Sequence, residues 1–197
     1  MSKSLIKKCI NSLYKIYNRV KLSILGVHYG SGLCIHGHIC IDKKNNASVE
    51  LGDNVYISSG RHMNPLSRNI EASFRIEENA VLEIGNNVGL SSVVLWCHEH
   101  IKIGNNVNIG GNTILLDSDC HSLNYLDRRD IYIDLQNKSN SPIEIGNDVL
   151  IGMNCMILKG VMIGDKSIIG AGSVVTRDIP SDCVAAGNPA VVIKHIN

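Results

Sequence analysis

Residues 143–175 read IEIGNDVLIGMNCMILKGVMIGDKSIIGAGSVV, and they decide the fold. Ile145, Ile151, Ile157, Ile163, Ile169 and Val175 recur at strict intervals of six. A second row, Val149, Cys155, Val161, Ser167 and Ser173, keeps the same interval, and Gly146, Gly152, Gly164 and Gly170 follow the first row. Six matches neither the 3.6-residue period of a helix nor the two-residue period of a strand. It fits short strands joined at regular corners, with equivalent positions stacked coil upon coil. Three such sides make an 18-residue coil, and IGNDV at 145 returns as IGDKS at 163.

Working outward, the module reappears as LGDNV (51–55), IGNNV (84–88) and IGNNV (103–107). The step from 84 to 103 is 19 residues, which predicts one inserted residue near Cys97–His100. The step from 103 to 145 is 42 residues, which predicts a long excursion over 117–141. The excursion opens with DSDCHSLNYLDRRD (117–130), where a histidine, two arginines and four aspartates break the repeat.

Composition agrees with a pleated stack. Among 197 residues there are 27 Ile and 16 Val but one Phe and one Trp, the signature of β-branched packing rather than a helical bundle. The length suits one domain with a substantial core. Seven cysteines, an odd number with no C-x-x-C pair, read as reduced intracellular thiols. No apolar run approaches 18 residues, and the charged start lacks a signal-peptide cleavage site, so a cytoplasmic protein is expected.

The net charge of +1 conceals an asymmetry. Residues 1–41 carry six Lys and Arg and no acid, whereas the remainder carries 13 basic and 18 acidic groups. This points to a surface-binding tail rather than a nucleic-acid-binding protein. Leu5, Cys9, Leu13, Ile16, Tyr17, Val20 and Ile24 follow helical spacing. The helix either packs on the solenoid or on a neighbouring subunit, capping the open edge of the first coil, or rests, through residues 1–25, on the anionic inner face of a membrane.

The repeat, with the closing stretch IIGAGSVVTRDIPSDCVAAGNPAVVIKHI (168–196), resembles the hexapeptide-repeat acyltransferases of the maltose, galactoside and polysaccharide O-acetyltransferase type. That resemblance implies an all-β fold: a left-handed parallel β-helix with a short N-terminal helix and one long excursion loop. The left hand comes from the resemblance alone, since ordinary crossovers are right-handed. The expected layout is a helix and linker (1–30), the β-helix (31–190) with its excursion (117–141), and a tail (191–197). The resemblance further implies a homotrimer with sites between subunits, acetyl-coenzyme A as co-substrate, no metal, and a sugar or glycan acceptor.

By the same resemblance the catalytic base is His121, a group suited to removing a hydroxyl proton near neutral pH. Asp119 is a candidate orienter, and the backbone at Gly152–Met153 a candidate oxyanion donor. Ala171, Thr176, Arg177 and Lys194 are expected along the coenzyme A groove. Ser92, Trp96, His98, Asp117 and Arg128 are candidate acceptor contacts, and Arg61, His62 and Asn64 could reach an acceptor across a subunit boundary. The alternation of His98 and His100, with His121 as a third ligand, keeps a zinc enzyme of the γ-class carbonic anhydrase kind in view. An amino or xenobiotic acceptor, and a purely structural assembly module, also remain open.

Overall fold

The computed structural model describes residues 3–60, 65, 66 and 69–196, with side chains from residue 12 onward. Helix α1 (Lys3–Ile24) leads into a three-sided parallel β-helix. Among the described residues its faces carry six, eight and six strands. The first face runs from His28–Tyr29 to Met162–Ile163, the second from Cys34–His36 to Ala190–His195, and the third between Ile39–Lys43 and Val174–Val175. The 18-residue coil predicted from the repeat is present: Ile145 pairs with Ile163, Ile151 with Ile169 and Ile157 with Val175.

The two rows of the repeat fill the axis. Ile103, Ile145 and Ile163 stack on one side, Ile109, Ile151 and Ile169 on the next, and Leu95, Leu115 and Ile157 on the third, all buried. Each such side chain stabilises the stack by about 1.5–3 kcal/mol relative to exposure. The abundant asparagines hold the corners. Asn54, Asn87 and Asn106 sit at φ of 56–58°, the left-handed region that Asn tolerates better than most residues. Their side chains hydrogen-bond from coil to coil, Asn54 to Asn87 and Asn87 to Asn106, each at 3.1 Å.

The irregular coil is more unusual than its net length suggested. Leu90 to Leu95 spans five residues where the paired Ile109 to Leu115 spans six. Leu95 to Ile103 spans eight where Ile157 to Ile163 spans six. The single extra residue expected near Cys97–His100 is therefore two extra residues there, offset by one lost at Ser92, whose φ is 45°. Residues 191–197, expected as a tail, differ too: Ala190–His195 is a strand paired antiparallel with Cys183–Gly187.

Helix α1 caps the first coil. Asn18 Nδ2 donates to the Gly37 carbonyl at 2.8 Å, Lys21 Nζ donates to the Ile39 carbonyl at 3.2 Å, and Leu22 is buried in the core. Among the described residues no helix is long and apolar enough to cross a membrane.

Candidate active site

The excursion leaves the third face after Ile114–Leu116 and rejoins the first face at Ile143–Ile145. Between them lie a 3₁₀ turn (Asp127–Arg129) and a short helix α2 (Ile131–Gln136). Asp130 caps α2, its carboxylate accepting from the Tyr132 and Ile133 N–H groups. The turn is tied down internally: Ser122 Oγ donates to Asp127 at 2.8 Å, and Arg128 donates to the Ser122 carbonyl at 2.6 Å.

This scaffold joins His121 to Asp134 of α2. His121 Nδ1 lies 2.6 Å from Asp134 Oδ2, and the Ser122 N–H donates to Asp134 Oδ1 at 2.7 Å. The His121 side chain is 64% exposed, whereas that of Asp134 is only 5% exposed. Hydrogen bonds from His121 first, and from the Ser122 N–H second, hold the Asp134 carboxyl below its ordinary range. A carboxylate on Nδ1 fixes the tautomer, leaving Nε2 as the basic nitrogen. The result is an exposed base whose ring is oriented from below.

Asp134 is the residue that sequence reasoning missed. Asp119, expected to orient His121, instead lies 3.5 Å from Lys159 Nζ, because its backbone is pinned by the Ser139 carbonyl at the root of the loop. Asp117, expected at the acceptor, is fully buried. Its Oδ1 accepts from the His98 N–H at 2.6 Å, and Oδ2 from those of Glu99 and His100 at 2.8 and 2.9 Å. It thus builds the enlarged corner and has no exposed surface for substrate. Ser92 is likewise fully buried in the tightened corner, which removes it as an acceptor contact. The hydrogen bond of Arg128 fastens the loop rather than reaching outward.

Trp96 and His98 remain beside the loop. Their rings are 5.2 Å apart, and the Arg75 guanidinium lies 5.1 Å from the Trp96 ring centre. Trp96 Nε1 donates to Glu77, which also receives Arg75. Burial disfavours the charged form of Glu77, but those hydrogen bonds outweigh it and hold its carboxyl below its ordinary range. Lys138, from the returning arm of the loop, donates to His98 Nδ1 at 2.9 Å. Burial first, then the Lys138 ammonium, lower the pKa of His98. Cys120 lies 3.9 Å from His98 Nε2, and burial raises its thiol pKa, a poor setting for a nucleophile.

The three histidines have separate partners: His98 has Lys138, His100 has Glu83 at 3.5 Å, and His121 has Asp134. Among the described residues no three His, Cys, Asp or Glu stand in a metal-binding group. Arg61, His62 and Asn64 lie outside the described residues.

The candidates fall on two edges of the prism. Gly152, Met153 and Ala171 turn the corner between the second and third faces. A Cβ on Gly152 would stand 2.5 Å from the Ala171 nitrogen, so only glycine allows the coils to meet there. The Trp96–His100 corner, the excursion, and exposed Thr176 and Arg177 lie at the edge between the third and first faces. Lys194 sits on the terminal hairpin, paired with Val184 on the second face.

Comparison with known proteins gives this geometry its setting. Residues 142–177 match the model of the bacterial transferase hexapeptide (six repeats). A stretch of 56 residues, 28% of each chain, is 61% identical to the galactoside O-acetyltransferase of Escherichia coli K12. A hexapeptide-repeat acetyltransferase of Vibrio cholerae, solved with acetyl-coenzyme A, is 26% identical. The alignment covers 98% of this chain and 85% of that one, at a TM-score of 0.59. A galactoside acetyltransferase solved with coenzyme A is 32% identical over 80% of this chain and 65% of that one, at a TM-score of 0.51. The chain spans between about a quarter and just over half the length of the curated relatives it matches. The repeat and the left-handed parallel β-helix are therefore shared with these acetyltransferases.

Proposed function

We propose that this hexapeptide-repeat β-helix is an acetyl-coenzyme A-dependent O-acetyltransferase acting on a sugar hydroxyl, of a surface polysaccharide or its precursor. The observation that carries the reading is the His121–Asp134 pair, a buried carboxylate orienting an exposed imidazole on the 117–141 excursion from a scaffold shared with acetyltransferases.

In the proposed reaction His121 Nε2 accepts the proton of the acceptor hydroxyl as its oxygen attacks the thioester carbonyl carbon. Asp134 holds the ring and stabilises the imidazolium that forms. The tetrahedral intermediate collapses with cleavage of the C–S bond, and the leaving thiolate takes the proton back from His121. The thioester is already activated, so no protein nucleophile is needed. General-base catalysis of this kind contributes roughly 10²–10⁴ in rate. A backbone N–H at Gly152–Met153 is the proposed oxyanion donor. Ala171, Thr176, Arg177 and Lys194 are proposed to border the coenzyme A groove, and Trp96 and His98 the acceptor.

The loop and the Gly152–Met153 corner occupy different edges of one prism, with the third face between them. A homotrimer resolves this by setting the loop of one chain against the corner of the next. The donor is a cytosolic thioester, which places the reaction in the cytoplasm. Release of free thiol from acetyl-coenzyme A, measured against sugars, nucleotide sugars and lipid-linked glycans, tests the reading. Release stimulated by a glycan hydroxyl supports it, and no stimulation by any such acceptor opposes it.

A further inference from the structure

The cap helix α1 has two faces with different fates. Toward the solenoid it presents Asn18, Lys21 and Leu22, which bond or bury against the first coil. Over residues 13–24 the apolar stripe lies largely off the solenoid, and only Tyr17 at its edge reaches the first coil, its ring 5.7 Å from that of His38. Leu13, Ile16 and Ile24 are 67%, 65% and 79% exposed, and Tyr17 and Val20 are also more than half exposed. These five side chains fall within about 100° of arc, the width of an apolar face that is normally covered. A contiguous stripe of this kind marks an interaction surface rather than ordinary surface scatter.

Charge identifies the occupant. Arg19 stands exposed off one edge of the stripe, and Lys15, also exposed, lies further round the helix toward Leu33–Ile35 of the first coil. The first 41 residues contain six cations and no acid, whereas the rest of the chain has five more acidic than basic groups. A second copy of α1 laid on the stripe would bring two cationic helices together with no acid to offset them. An anionic lipid surface takes the apolar stripe into its interface and attracts the cations that the same acid-free segment carries. The acidic remainder of the molecule is repelled from the same surface, so only the capped end faces it.

We propose that the exposed face of α1 docks the capped end of the solenoid onto an anionic bilayer surface, with the prism standing away from it. The inference is independent of the acetyl-transfer reading. The test is co-sedimentation of the full chain with vesicles of phosphatidylcholine and phosphatidylglycerol in equal parts, against phosphatidylcholine alone. Partition to the anionic vesicles should be at least tenfold stronger and should weaken as salt rises. The double variant Leu13→Glu/Val20→Glu should lose at least tenfold in partition while keeping its circular dichroism spectrum and its mass by light scattering. Lys15→Glu/Arg19→Glu should weaken binding and flatten its salt dependence. Equal partition to both vesicle types, or to neither, would overturn the proposal. A fall in oligomeric mass in the Leu13→Glu/Val20→Glu variant would also overturn it, by assigning the stripe to a second copy.

Discussion

In the proposed mechanism His121 and Asp134 divide one task between an exposed ring and a buried carboxylate 2.6 Å away. Removing the charge but not the shape separates their parts. Asp134→Asn should lower kcat by about tenfold or more, a portion of the whole general-base contribution of roughly 10²–10⁴. The KM for acetyl-coenzyme A should stay unchanged, because Asp134 is not among the groove residues. Steady-state kinetics checks this, and an unchanged kcat would remove Asp134 from the mechanism. His98 makes a different prediction. Burial and Lys138 lower its folded pKa below the unfolded value of about 6.5. Above that pH both states are neutral and the group contributes nothing. As pH falls below it, the unfolded chain takes up the proton and the folded one resists, so stability is lost. Denaturant titrations between pH 7.5 and 5 should show a steeper loss in the parent than in His98→Gln, and parallel curves would contradict the assignment.

Helix α2 has only six residues, too few to hold itself together, and its position depends on the Asp130 cap and the loop's internal bonds. Asp130→Ala should cost about 0.5–2 kcal/mol of local stability. Because α2 lies outside the coil stack, the thermal midpoint should scarcely move while kcat falls, and a large drop in the midpoint with full activity would refute this view. The same element shows where sequence reading stops. A histidine in a loop just before the strict terminal repeat stands out, and so does the insertion at Cys97–His100. The repeat carries no register through residues 117–141, so nothing there says that the carboxylate thirteen residues after His121 folds back onto it rather than Asp119, two before. The enlarged corner misled in a similar way. Its net count of one residue concealed two gained and one lost, and only the pairing of Leu90 and Leu95 reveals that Ser92 is locked inside.

The whole molecule was far more legible than its site, because stacking makes each coil repeat the test of the last. Ile145, Ile151 and Ile157 each pair one coil on with the residue that the period of six requires. The helix was legible by its spacing but not by its orientation, since Asn18 and Leu22, rather than Leu13, Ile16, Val20 and Ile24 of the apolar stripe, meet the first coil. At this scale the separation of His121 and Met153 on different prism edges yields a further prediction. Mixed oligomers of His121→Ala and Met153→Pro, each confirmed as folded, should recover activity that neither variant has alone, because one chain supplies an intact loop and its neighbour an intact corner. Failure to recover would place the site within one chain. The central claim is general-base acetyl transfer by His121, and the most direct measurement is acceptor-stimulated thiol release from acetyl-coenzyme A by the parent chain and by His121→Ala, alongside calorimetric titration of acetyl-coenzyme A into both. The expected result is a fall in kcat of roughly 100-fold or more with acetyl-coenzyme A binding retained; near-normal turnover by His121→Ala would contradict it.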